Sequence, residues 1–156
     1  MRRFLMVPVL VVLASLVSFV FPAAAADSPV GGTYMKKAKD GKPEMTMSVD
    51  AWGPGKVKLT WHIKIKGTDM TMSVVSAVDG KDAEVLVGGK PTGETMAIKL
   101  VDKHHSSTVV KMNGQSFGTS KGTFSDDYKT LTVENDFSGP VNGNGAGKTT
   151  EVWVRQ

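Results

Sequence analysis

Two short methionine motifs are the residues of this chain whose type and spacing could bind a soft metal ion. They read Met45-Thr46-Met47 and Met70-Thr71-Met72. On a β-strand both sulfurs of a pair would point to the same face. Thioether sulfurs are soft ligands suited to Cu(I) or Ag(I), and Trp52 or His62 could supply a further ligand. Methionine is also a common filler of irregular cores, so we interpret both pairs as core residues and predict no metal site.

The remaining chemically active residues do not form a recognisable catalytic or phosphate-binding pattern. His104 and His105 are adjacent, so on a strand they would point to opposite faces. The segment 142–149 resembles a phosphate-binding loop in composition, but Asn142 stands where that loop needs its first glycine. We interpret this segment as a hairpin connection. The chain has no cysteine, no G-x-S-x-G and no H-E-x-x-H, so we predict no catalytic residues, no cofactor and no enzymatic activity.

The first 26 residues have the composition of a secretory signal peptide. A basic start at Arg2 and Arg3 precedes an apolar run from Phe4 to Phe21, and four alanines end at Ala26. The apolar run approaches the ~20 residues that span a bilayer, so an uncleaved anchor is the alternative, but the alanine cluster favours cleavage after Ala26. We therefore predict a signal peptide over 1–26, a single domain over 27–156, a periplasmic or secreted location, and no stable membrane span after cleavage.

Charge and size set limits on the predicted domain. The whole chain carries a formal charge of +4, and the two arginines of the predicted signal peptide account for half of it. A remaining charge this small does not indicate a nucleic-acid partner. The domain has no disulfide, so its core must be sufficient alone.

The strongest structural pattern in the chain lies between Lys56 and Lys66. It reads K-V-K-L-T-W-H-I-K-I-K, which is strict alternation of polar and apolar residues. This period predicts a β-strand with one apolar and one polar face. Weaker copies of the pattern predict strands over 44–52, 70–78, 83–87, 95–101, 107–112, 116–124, 129–137 and 149–155.

The segments between the predicted strands have the composition of short turns. Asn113-Gly114 is a strong type I′ hairpin signal, and Asp79-Gly80-Lys81 is a second predicted turn. Met35 to Lys42 has no second turn of apolar spacing and predicts a loop or a single helical turn. Because nearly every connection has hairpin length, we predict an all-β, antiparallel, up-and-down barrel of about eight strands.

The chain resembles small lipocalin-like (calycin-like) proteins that bacteria secrete. The resemblance spans nearly all of 27–156 and is carried by Gly32-Thr33-Tyr34 with Ala38-Lys39, by Asp79-Gly80-Lys81 with Gly88, by Ser125-x-Asp127-x-Lys129-Thr130-Leu131-Thr132-Val133, and by the ending Arg155-Gln156. It implies a calycin-like antiparallel barrel without catalytic residues. Separately, Met45-Thr46-Met47 resembles the methionine pair of small β-barrel copper chaperones of the periplasm.

A barrel of this kind can hold one small ligand or be filled by side chains. We predict a small hydrophobic ligand in the interior. The alternatives are a filled barrel that acts as an interaction protein, whose protein partners the sequence does not name, and a periplasmic soft-metal carrier that uses the methionine pairs. The candidate lining residues are Val57, Leu59, Trp61, Ile63, Ile65, Met72, Val74, Ile98 and Leu100.

Overall fold

Ten β-strands form the part of the chain that the computed structural model describes, which is residues 29–36, 44–65, 67–139 and 146–156. The predicted signal peptide and its cleavage site lie outside these residues, as does the first half of the 142–149 segment. No helix within the described ranges is long and apolar enough to cross a membrane. The strands are β1 (Gly32–Lys36), β2 (Glu44–Ala51), β3 (Val57–Ile65), β4 (Thr68–Ser76), β5 (Asp79–Val87), β6 (Lys90–Leu100), β7 (His105–Met112), β8 (Gln115–Phe124), β9 (Thr130–Phe137) and β10 (Gly147–Arg155).

The strands close into an antiparallel up-and-down barrel. Each strand pairs with its neighbours in sequence, and β1 pairs with β10 through Tyr34 opposite Arg155 and Met35 opposite Val154. Closure satisfies the backbone hydrogen bonds that an edge strand would expose. The predicted all-β, up-and-down barrel is confirmed.

The predicted number of about eight strands is wrong, because the barrel has ten. The nine segments predicted along the chain correspond to β2–β10, and β1 is the strand that was missed. Met35, which was predicted to begin a loop, lies inside β1 and pairs with Thr46 of β2. This strand has only five residues, and its last one, Lys36, is a charged residue buried on the inner side. It therefore lacks the apolar alternation by which the other strands were predicted.

The alternation in β3 has the consequence predicted from the sequence. Ile63 is buried and Leu59 and Trp61 pack against the core, whereas His62 is exposed on the outer face. On that outer face the Lys58 ammonium lies 4.5 Å from the centre of the Trp52 ring. The interior contains two clusters of buried residues, one around Tyr34 and Trp153 and one around Met72 and Phe137.

Local backbone conformation explains which predicted turns were right. Asn113 and Gly114 have φ of 50° and 82°, as a type I′ turn requires, and Met112 pairs with Gln115 across it. The turn predicted at 79–81 is wrong. These residues begin β5, where Asp79 pairs with Lys99 and Asp82 with Ala97, so one extra residue forms a bulge. The loop predicted at 88–93 is also shorter, since β6 begins at Lys90.

Candidate functional site

The barrel encloses a cavity of about 370 Å³. It extends to the end of the barrel that carries the β2–β3 and β4–β5 turns, where Val30, Gly55, Lys56, Val78 and Leu100 border it. Lys56 and Leu100 are exposed, so the cavity reaches the surface at this end, which we call the mouth. Its volume lies within the ~300–1,000 Å³ that is usual for small-molecule sites.

One side of the cavity, which we call the apolar wall, is built by β2, β3, β4 and β6. Leu59 and Trp61 face inward yet remain only half-buried, because their inner surfaces border empty space rather than other side chains. An apolar molecule that covers such a surface makes new van der Waals contacts with it and removes water from it, so its binding is favourable. The wall consists of Met45, Met47, Val49, Val57, Leu59, Trp61, Met72, Met96, Ile98 and Leu100.

The opposite side carries hydrogen-bonding groups on β7, β8 and β9, and we call it the polar wall. Its polar residues are Ser106, Thr108, Ser120 and Asn135, which lie among apolar lining residues of the same strands. The Ser120 hydroxyl donates to Asn135 Oδ1 over 2.7 Å, and Asn135 Nδ2 donates to Thr149 Oγ1 over 3.4 Å. These bonds hold the buried Asn135 amide in one orientation.

A buried ion pair stands beside this wall. Lys36 Nζ lies 2.6 Å from Glu151 Oε1, and the two side chains are only 8% and 7% exposed. Trp153 Nε1 donates to Glu151 Oε2 over 3.2 Å, and the Lys36 ammonium lies 5.7 Å from the centre of the Trp153 ring. Strands β1 and β10 therefore bring two opposite charges into the barrel, where each compensates the other.

Aromatic rings pack at the mouth end of the barrel. His104 stacks on Tyr128 with ring centres 4.8 Å apart, and Phe124 lies 6.1 Å from both Tyr128 and Tyr34. The Tyr34 hydroxyl donates to the Val30 carbonyl oxygen over 3.1 Å. Burial raises the pKa of the Tyr34 phenol, and the Arg155 charge lowers it in part. Tyr34 is thus a neutral structural group here and supplies no base.

Six of the nine candidate lining residues border the cavity. Ile63 and Val74 are buried in the two core clusters and do not border it, and the Ile65 side chain lies outside what the structure describes. The residues that border it are Val57, Leu59, Trp61, Met72, Ile98 and Leu100.

Sequence reasoning missed the polar wall completely. Small residues at Gly118, Ser120 and Gly122 alternate along the inner face of β8. Small residues on one strand face fill little of a barrel interior by themselves, and this signal was available in the sequence. Gly118 is required for a different reason, because a Cβ there would lie 2.1 Å from Phe137 Cδ1.

The methionine pairs lie on the inner face but on strands that are not neighbours. Trp61 of β3 stands between Met47 and Met72, and Ile63 stands between Met45 and Met70. His62 points outward, where its Nδ1 is 3.2 Å from Thr71 Oγ1. Among the described residues, no group of three or more histidine and acidic side chains could hold a metal ion.

Comparison with known proteins supports the fold but does not assign a family, a ligand or a function. The chain matches no family model and no curated protein. It is similar in structure to a mutant of the fluorescent protein UnaG, whose crystal structure superposes with a TM-score of 0.58 at 15% sequence identity. The match covers 82% of this chain and 96% of that one. The two chains therefore share a closed β-barrel fold.

Proposed function

We propose that this chain is an exported, non-catalytic carrier that binds one small hydrophobic molecule inside its barrel. The observation that carries the proposal is the cavity of about 370 Å³ with a continuous apolar wall and an opening at the mouth. A barrel filled by its own side chains would leave no such space. Export is supported by the signal-peptide composition of residues 1–26.

Burial of apolar surface sets an upper limit on how tightly the cavity can bind an apolar ligand. A ligand that buries about 300 Å² of apolar surface gains roughly 7 kcal/mol at ~25 cal/mol per Å². Association entropy reduces this gain. The apolar burial alone corresponds to a dissociation constant of about 10 µM, so an ordinary apolar compound should bind no tighter than this. Tighter binding would need polar contacts in addition.

The two alternative functions have less support. A soft-metal carrier needs its sulfurs to converge, but a full strand separates the two methionine pairs. An interaction protein would need a large exposed apolar patch. The exposed Val152 and Val154 of β10 have threonines, Thr132 and Thr130, as their partners in β9. Met35 of β1 lies opposite Val154 on the other side, so the apolar residues on this face do not extend onto β9.

Native mass spectrometry of the protein isolated gently from its own host tests the proposal. We expect an added mass of a few hundred daltons that is lost on denaturation, and a chain that starts at Asp27. A copper or silver mass would contradict the proposal and favour the metal carrier. A bare protein that also fails to take up any hydrophobic compound would contradict it and favour the interaction protein.

A matched pair of variants links the bound mass to the cavity. Val133→Phe places a ring inside the cavity, whereas Val152→Phe makes the same change on the outer face of the next strand. We expect the bound mass to be lost only in Val133→Phe. Loss in neither variant would place the ligand outside the barrel.

A further inference from the structure

Two hydroxyl groups of the polar wall face the cavity without a partner. Ser106 and Thr108 lie on the inner face of β7, and neither side chain has a hydrogen bond with any residue that the structure describes. Both hydroxyl oxygens also remain accessible to a molecule the size of water. A hydroxyl that borders an otherwise apolar space costs stability unless a water or a ligand group pairs with it. These two groups are therefore placed to bind a polar part of the ligand.

Asn135 extends this hydrogen-bonding surface. Its neighbour Ser120 pairs with Thr108 in the sheet, so β8 with Ser120 separates the amide on β9 from the two free hydroxyls on β7. An amide offers two N–H donors and an oxygen with two lone pairs. Its contacts with Ser120 and Thr149 use one of each. One donor and one acceptor site of Asn135, which borders the same cavity as the two hydroxyls, remain unused.

The charges around the cavity decide which polar group fits. Among the described lining residues, the charged ones are Glu151 and Lys56. The Glu151 carboxylate already pairs with Lys36, and Lys56 is exposed at the mouth. A ligand carboxylate on the polar wall would thus lose its hydration without meeting an unpaired cation, and it would lie on the same side as Glu151. An uncharged donor–acceptor group meets no such penalty.

We propose that the ligand is an uncharged amphiphile, such as a primary amide or an alcohol with an aliphatic or aromatic body. Its hydrogen-bonding group pairs with Ser106 and Thr108, and its body covers the apolar wall. Asn135 offers a further hydrogen-bonding site one strand beyond Ser120. This inference rests on the proposed function, because it assumes that the barrel binds a small hydrophobic molecule. It adds that the barrel discriminates against anionic lipids of the same length.

Decanamide and decanoate are suitable probes, because their head groups have nearly the same shape and differ in charge. Binding is followed at pH 7.5 by the fluorescence of Trp61 and Trp153, which both border the cavity, and by calorimetry. Nile red, an uncharged dye, is the third probe. We expect decanamide to bind at least tenfold more tightly than decanoate. If Nile red binds but decanoate binds as well as decanamide, the inference fails and the proposed function stands. If none of the three binds, both fail.

Variants on the inner face of β7 and the outer face of β8 test which residues cause the preference for decanamide over decanoate. Thr108→Val and Ser106→Ala remove the hydroxyls at little change in volume, and we expect them to reduce the preference for decanamide at least fivefold. Thr119→Val makes the same kind of change on the outer face of β8, where Thr119 is exposed, and should leave the preference unchanged. Equal effects of Thr108→Val and Thr119→Val, or no effect of either inner change, would overturn the assignment of the polar wall.

Discussion

Replacing Lys36 with methionine should destabilise the barrel far more than the loss of a surface charge does. The substitution keeps an unbranched side chain in place but removes the ammonium group 2.6 Å from Glu151 Oε1. Both side chains are more than nine-tenths buried. The variant therefore leaves a buried carboxylate that retains the Trp153 N–H donor but has lost the Lys36 ammonium.

The magnitude follows from the cost of removing one partner of a buried ion pair. Breaking a buried ion pair by removing one partner costs about 3–5 kcal/mol. We expect the lower end, about 3 kcal/mol, because Glu151 also borders the cavity, from which water can reach it. Since domains of this size have only about 5–15 kcal/mol of total stability, this is a large loss. With a urea m-value of about 2 kcal/mol per M, the unfolding midpoint would fall by about 1.5 M.

Urea unfolding followed by circular dichroism measures this loss. Lys36→Met combined with Glu151→Gln removes both charges and keeps an acceptor for the Trp153 N–H, so the double variant should be more stable than Lys36→Met alone. Lys81→Met is the control, because its pair with Asp79 lies at the surface with the lysine 87% exposed, and its midpoint should not move. A loss below about 1 kcal/mol in Lys36→Met, or no recovery in the double variant, would refute the reasoning.

Three further predictions concern backbone packing, a half-buried acid and the binding signal. Gly118→Ala should lower the free energy of unfolding by about 1–3 kcal/mol, because its Cβ would meet Phe137 Cδ1 at 2.1 Å; Gly114→Ala, which meets nothing within 4 Å but has φ of 82°, should cost less. Burial raises the pKa of Glu94, whose Oε1 has no partner among the described residues. The protonated carboxyl therefore favours the native state below the ordinary glutamate pKa, and this advantage is lost as pH rises through the pKa of Glu94 in the folded protein. Glu94→Gln should unfold at a higher urea concentration than the parent protein at pH 7 but not at pH 4. Trp52→Phe should leave the ligand-induced fluorescence change intact, because Trp52 is an exposed residue that does not border the cavity, and loss of the change would place the binding site elsewhere.

The fold was predictable where periodicity alone determines it. In β3 every second residue is apolar, and such a strand can bury only one face. The Asn113-Gly114 turn was predictable for a local reason, since two consecutive positive φ angles favour these residue types. The bulge at Gly80 was not, because the same Asp-Gly pair fits a turn or a bulge, and the register of β5 against β6 decides between them.

Strand β1 could not be predicted from local sequence patterns. Lys36 interrupts its apolar alternation, and Glu151 does the same in β10. Each residue alone indicates an outward face. Only pairing across 115 positions makes both of them inward residues that compensate one another. Sequence periodicity contains no information about such a pair, because it treats every charge as a surface residue.

The missed strand also explains why the sequence left open whether the barrel is hollow. The diameter of a barrel grows with its number of strands, and eight strands leave an interior that side chains can just fill. Ten strands enclose more space. Inner side chains that would meet across a smaller barrel then do not reach one another, above all opposite the small side chains of Ser106 and Ser120. The cavity thus results from two features together, the closure through β1 and the small residues of the polar wall, so that wall determines both the room for a ligand and the polar group it can accept.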